Sequence, residues 1–184
     1  CLVSILPGMA QTEKLTDYVN PFVGTDGYGN VYPGAQIPFG GIQISPDTDS
    51  RFYDAASGYK YNHLTLMGFS LTHLSGTGIP DLGDFLFIPG TGEMKLEPGT
   101  HEDPDQGYRS RYSHDKEWAS PNYYAVELAD YGVKAEMTSG VRSGMFRFTY
   151  PESDNAFIMI DMNHTLWQSC EWSNLRMIND STIT

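Results

Sequence analysis

Between residues 20 and 48 no helix can form. Pro21, Pro33 and Pro38 each remove a backbone donor, and six glycines stand between them or just after them, so no unbroken ladder of i→i−4 hydrogen bonds can run through the segment. The stretch has to be loop, closing in a short strand over residues 41–45. The same punctuation continues along the whole chain, which carries 19 glycines and 11 prolines in 184 residues. That frequency argues for many short strands joined by turns, and against helical bundles and disorder alike.

The strands can be read from period-2 alternation and from short apolar runs that end at turn signals. Residues 59–66 alternate as a half-buried strand. Phe85-Leu86-Phe87-Ile88 is an apolar run stopped by Pro89-Gly90, which predicts a buried strand and a turn, followed by a further turn and strand over residues 91–99. Residues 123–128 and 133–138 form two strands across Asp130-Tyr131-Gly132, a hairpin. Residues 145–150 and 157–162 supply two more, and the pattern rises again into a strand at Thr182-Ile183-Thr184. Successive strands with turns between them predict an all-β chain, an antiparallel two-sheet β-sandwich. The last strand stops without a cap or polar tail, which predicts a sandwich incomplete at its C-terminus.

One stretch does not read as packing alone. In residues 68–84, Phe69, Leu71 and Leu74 suit a core, yet five glycines and prolines interrupt them and Thr72, Ser75 and Thr77 add hydroxyls. Such backbone freedom lets a loop approach a ligand closely. A polar loop held between two strands is the expectation; a long connection with no ligand is the alternative.

Charge narrows the partners. A formal net charge of −12 opposes attraction to phosphate backbones and anionic lipid, so nucleic acid is not expected. No run of about 18 apolar residues exists, so no membrane span is predicted. The two cysteines, Cys1 and Cys170, define neither a disulfide framework nor a zinc site. Residues 1–11 are apolar up to Ala10 and then turn polar, the pattern of a secretory leader remnant cleaved near Ala10. A lipid-anchored Cys1 is the rival reading, disfavoured because an apolar run stands where a polar tether belongs. Both readings predict export.

Nucleotide loops, a Gly-x-Ser-x-Gly elbow and His-Glu-x-x-His are all missing. Asp103 and Asp105 open like a calcium loop, but His114 stands where the closing Glu belongs and the glycine is misplaced. Asp26, Tyr28 and Asn30 on the glycine-rich loop offer carboxylate, phenol and amide groups of the kind that grip sugar hydroxyls; an Asx-turn series is the alternative. His73 could meet a substrate hydroxyl or act as an internal hydrogen-bonder. Asp81 and Asp84 could form the carboxylate pair of a glycosidase, or could organise their loop by bonding its amides. Asn163-His164-Thr165 and Asn179-Asp180-Ser181 fit the glycosylation pattern.

Several blocks together are distinctive. Asn20-Pro21-Phe22-Val23-Gly24-Thr25, Pro33-Gly34-Ala35 with Pro38-Phe39-Gly40, Ser45-Pro46-Asp47-Thr48, Ser57-Gly58-Tyr59, and Thr72-His73-Leu74-Ser75-Gly76-Thr77-Gly78 with Gly83-Asp84 resemble, in order and spacing, the N-terminal domain of glycoside hydrolase family 92. Ala119-Ser120-Pro121 and Arg142-x-Gly144 before Arg147-Phe148-Thr149-Tyr150-Pro151 agree as well. The resemblance covers residues 15–184.

The resemblance implies a supersandwich-like β domain over residues 12–184, packed in the whole enzyme on an (α/α)6 barrel with the active site at the seam. It implies an exported exo-α-mannosidase that inverts the anomeric centre, with acid, base and calcium ligands all on the barrel. By that analogy this chain holds no catalytic residue and no metal ligand, and calcium belongs only to the whole enzyme. Its partners would be mannose-containing glycans and the barrel. The sugar-facing residues the resemblance and the loops suggest are Gly24, Thr25, Asp26, Asn30, Phe52, Tyr53, His73 and Ser75. A tryptophan common near the Ser-Gly-Tyr block is missing, so Phe52 or Tyr53 would stand in. The alternative function is a free-standing carbohydrate-binding module.

Overall fold

The computed structural model describes residues 13–184 except Phe52 and Pro80; the expected leader, residues 1–11, lies outside them. The described residues form twelve strands and four short 3-10 turns. The strands are β1 (Ser45–Asp47), β2 (Thr65–Leu66), β3 (Gly68–Ser70), β4 (Leu86–Thr91), β5 (Ser110–Arg111), β6 (Glu117–Ser120), β7 (Tyr123–Leu128), β8 (Val133–Ser139), β9 (Gly144–Thr149), β10 (Ala156–Asp161), β11 (Met177–Asn179) and β12 (Thr182–Ile183). Every pairing between them is antiparallel. One four-stranded sheet has the order β1-β3-β4-β10 and another the order β6-β7-β8-β9. The pairs β2-β5 and β11-β12 complete the set.

Alternation on β7 and β8 builds the core between the two large sheets. Tyr124, Val126, Leu128, Val133, Ala135 and Met137 are buried and pack with Phe69 of β3, while Lys134 and Thr138 stay on the outer face. Fully burying a side chain such as Leu128 or Met137 contributes about 1.5–3 kcal/mol. Rings close the seam: Phe87 of β4 lies 5.0 Å from Phe146 of β9, and Phe69 lies 6.3 Å from Phe148. The opposite face of β4 is covered too, since Leu86 and Ile88 pack with Met67 and Tyr108. Cover on both faces is why Leu86, Phe87 and Ile88 are continuously apolar instead of alternating, whereas Phe85, just ahead of the strand, is exposed.

Five local expectations changed on folding. Residues 68–70 are strand, not loop, because β3 is held between β1 and β4. Strand β4 runs through Pro89 and Gly90 to Thr91, with β10 alongside to its end. β3 meets β4 only at Phe69↔Phe87, which leaves one edge open where proline is tolerated. The strand expected over 41–45 is reduced to an Ala35↔Ile44 bridge before β1, because Gly41 and Gln43 donate to Val141 and Leu71 on different segments. Of residues 59–66 only Thr65 and Leu66 pair as strand, with Arg111 and Ser110, and no strand forms over 92–99.

Candidate functional site

The glycine-rich loop 24–34 folds on its own hydrogen bonds before it offers any to a ligand. Gly24 turns at φ +86°, and the buried Thr25 donates its hydroxyl to the Phe22 carbonyl at 2.8 Å. Asp26 is exposed and its Oδ1 accepts from the Gly27 amide at 2.8 Å, an Asx contact. Thr25 and Asp26 border a cleft of about 350 Å³ with Phe22 and Tyr61. Tyr61 is fixed there by stacking on His114, with ring centroids 3.9 Å apart. His114 in turn contacts the buried Glu117 at 2.6 Å.

Asn30 joins this loop to the next. Its backbone is left-handed, φ +48°, and its carbonyl accepts the Gly76 amide at 2.7 Å. The Asn30 amide oxygen is buried and finds no donor in the protein. An acceptor left so costs about 1–3 kcal/mol, which a hydroxyl donor would recover. Beside it, Tyr32 tilts over His73 with centroids 5.0 Å apart, and burial pushes the Tyr32 phenol up to about 12.

Loop 72–78 is closed at its base by Thr72, which donates to Asp84 Oδ2 at 2.9 Å. Asp81 receives the Leu82 amide at 2.8 Å, so both carboxylates serve the loop. Ser75 is exposed at the loop's crest. Tyr53, exposed over half its surface, lays its hydroxyl against Gly78: a Cβ there would stand 2.3 Å from the Tyr53 oxygen. A side chain at position 78 would push the Tyr53 hydroxyl aside.

His73 turns the other way. It is 3% exposed, with Nδ1 on the Gln43 carbonyl at 2.7 Å and Nε2 on Asp47 Oδ1 at 2.8 Å. Asp47 is wholly buried and gives its other oxygen to His164 Nε2 at 2.8 Å. Burial by itself would raise the Asp47 carboxyl, but the charge of His73 and hydrogen bonds from His164 and His73 hold it well below the usual carboxylate range. Gly58, at φ +82°, has to lack a side chain because a Cβ would stand 2.0 Å from Asp47 Oδ1. Three of the sequence blocks, around Asp47, Gly58 and His73, therefore meet at one buried carboxylate.

The folded chain brings Asn30, Tyr53 and the 73–78 backbone into one loop cluster, puts Gly24, Thr25 and Asp26 at the adjoining cleft, and directs the His73 ring inward. Phe52 lies outside the described residues. Sequence reading missed Tyr61 as a cleft wall, and His164, noted only within a glycosylation pattern. The His164 contact to Asp47 spans 117 positions and leaves no periodic trace. Among the described residues no group of three or more His, Cys, Asp or Glu could hold a metal ion.

An all-β sandwich whose glycine-laced loops gather around buried polar anchors is the class this fold and these loops define. The description "Glycosyl hydrolase family 92 N-terminal domain" matches residues 18–184, and the chain belongs to that family. It is 30% identical over 139 residues to an "Uncharacterized secreted glycosidase" of Arthroderma benhamiae, covering 74% of this chain and 17% of that one. Among solved structures, the family 92 glycosyl hydrolase ccman5 superposes with TM-score 0.69 at 31% identity, over 82% of this chain and 20% of that one. A family 92 inverting mannosidase of Bacteroides thetaiotaomicron gives TM-score 0.65 at 27% identity, with the same coverage. The chain thus spans about a fifth of the length of these relatives.

Proposed function

We propose that this chain is the carbohydrate-facing N-terminal domain of an exported exo-α-mannosidase that hydrolyses terminal α-mannosides with inversion. In this reading the loops 24–34, 52–59 and 73–78 form one wall of the sugar site, and the acid and base stand on a helical barrel outside the chain. The observation that carries it is Asn30, whose buried, unpartnered amide oxygen sits on the backbone contact between two of those loops. That oxygen is enclosed, so a sugar hydroxyl reaches it when the contact between residues 30 and 76 opens, and a hydroxyl is then the donor that suits it. Tyr53 adds an exposed ring at the Gly78 approach. Export is supported by the name of the secreted glycosidase relative. No helix among the described residues is long and apolar enough to cross a membrane.

The test is turnover of an aryl α-mannoside by the full-length gene product, followed by NMR of the first-formed anomer. β-Mannose is expected, and the 184-residue chain by itself should release none. A gene that stops soon after codon 184, or mannose released with retention, overturns the reading. Within the active protein, Asn30→Ala and Tyr53→Ala should each raise KM about five- to tenfold with a smaller change in kcat, since they remove ground-state contacts. Calcium, implied by resemblance for the barrel, should be removable by a chelator with loss of hydrolysis and no change in this domain's urea midpoint.

A further inference from the structure

A second cleft lies on the face of the β1-β3-β4-β10 sheet that is turned away from the other large sheet, where Met67 and Tyr108 already pack on Leu86 and Ile88. It measures about 380 Å³ and is lined by Arg51, Asp161, His164, Thr165, Trp167 and neighbouring residues. That size falls in the range of small-molecule pockets, roughly 300–1,000 Å³. None of its lining residues is among those of the Asn30 loop cluster, and the Asp47 carboxylate links the two, bonded to His73 on one side and His164 on the other.

Its walls are held in place. Asp161 accepts the Tyr108 hydroxyl at 3.2 Å and the Asn163 amide at 2.9 Å. His164 is fixed by Asp47. Leu166 is 1% exposed and its amide donates to the Leu82 carbonyl at 2.8 Å, while the next amide, that of Trp167, donates to the Ser50 carbonyl at 2.7 Å. Between these two anchors Trp167 adopts φ +71°, a conformation costing a bulky residue about 1–3 kcal/mol and kept only where the surroundings impose it. The consequence is a tryptophan 53% exposed on the wall of a polar cleft.

We infer that this cleft binds a neutral hexopyranose unit of a glycan, with Trp167 as the ring platform. The inference rests on the proposed glycan-facing role of the domain. The polarised C–H face of a pyranose suits the negative face of an indole, and the surrounding groups include both donors and acceptors for its hydroxyls. Arg51 and Asp161 oppose each other in charge, so neither an anion nor a cation is favoured locally, and the net charge of −12 disfavours anions further. A neutral polyol is the class that uses every group present.

The intact protein is titrated with methyl α-mannopyranoside by calorimetry and by tryptophan fluorescence, with gluconate as the charged control. Trp167→Gly keeps the left-handed backbone and removes the ring; it should weaken mannoside binding about tenfold or more, while Trp167→Phe should hold it within about threefold. Arg51→Gln, at an exposed position, should weaken it too, and near-ultraviolet circular dichroism reports whether each variant is folded. Binding that survives Trp167→Gly but falls in Asn30→Ala overturns this inference and leaves the proposed function standing. Binding lost in Trp167→Gly and kept in Asn30→Ala supports it and counts against the loop cluster. Gluconate bound more tightly than the mannoside, or no binding of the mannoside by the wild type, overturns it.

Discussion

Asp47 ties segments distant in the chain to one buried carboxylate. Its carboxylate has no exposed surface and two histidine partners, so removing it leaves two buried rings without their acceptor. Asp47→Ala should cost about 3–5 kcal/mol, the usual penalty for breaking a buried pair from one side, read as a fall in the urea midpoint. Because its folded pKa is depressed, its contribution is fully present above the unfolded value of about 3.9. That contribution is lost as pH falls toward the folded value. Gly58 offers a paired test at the same scale. Gly58→Ala meets both a left-handed backbone and the Asp47 carboxylate, whereas Gly76→Ala meets φ +72° with open space around it. The second should cost about 1–2 kcal/mol from the backbone alone, and the first clearly more; equal losses would mean that the carboxylate gives way freely.

Among the elements, strand β8 is tied to its neighbours on two faces by different physics. Inward, Val133, Ala135 and Met137 are buried. Outward, Glu136 stands opposite Arg147 of β9 in register and receives two of its guanidinium nitrogens at 2.8 and 2.6 Å, with the Tyr123 hydroxyl at 2.7 Å. Those hydrogen bonds, Arg147 foremost, hold the Glu136 carboxyl at about 2. The unfolded value is near 4.3, so this contribution is complete above that pH and disappears as pH falls through about 2. Glu136→Gln should therefore lower the denaturation midpoint at pH 6 and make little difference at pH 2. Arg147 is largely exposed, so solvent screening keeps the effect modest.

At the scale of the molecule, Leu15, Tyr18, Val19, Val23, Tyr28 and Phe39 are all exposed, Phe39 fully, and all belong to one segment near the start of the described chain. Exposed apolar side chains this frequent in one segment suit a surface that meets another body, and the relatives are about five times longer than this chain. The isolated 184 residues should elute at concentration-dependent size and bind a hydrophobic dye. The full-length protein should do neither.

Much of the fold was legible before folding. Strands β7 to β10 followed from alternation and turns because period-2 burial is written locally, and the proline and glycine spacing excluded helices outright. The family was legible in blocks such as Ser45-Pro46-Asp47-Thr48, although their physical purpose was not. β3 and β5 were not legible, being two or three residues long and held by partners far away in the chain; β6 pairs with its neighbour β7, but its four residues carry too short a pattern to read. The loops were identified as polar and glycine-laced, but not which side chains they would turn inward. The amino-acid order by itself determined an all-β chain of this family, because backbone sterics and hydrophobic periodicity act over a few residues. Only the tertiary structure decided that His73 would spend its ring on Asp47, that His164 would share that carboxylate and that Trp167 would face a cleft. Those contacts exist only after sheets from distant segments pack and exclude water between them.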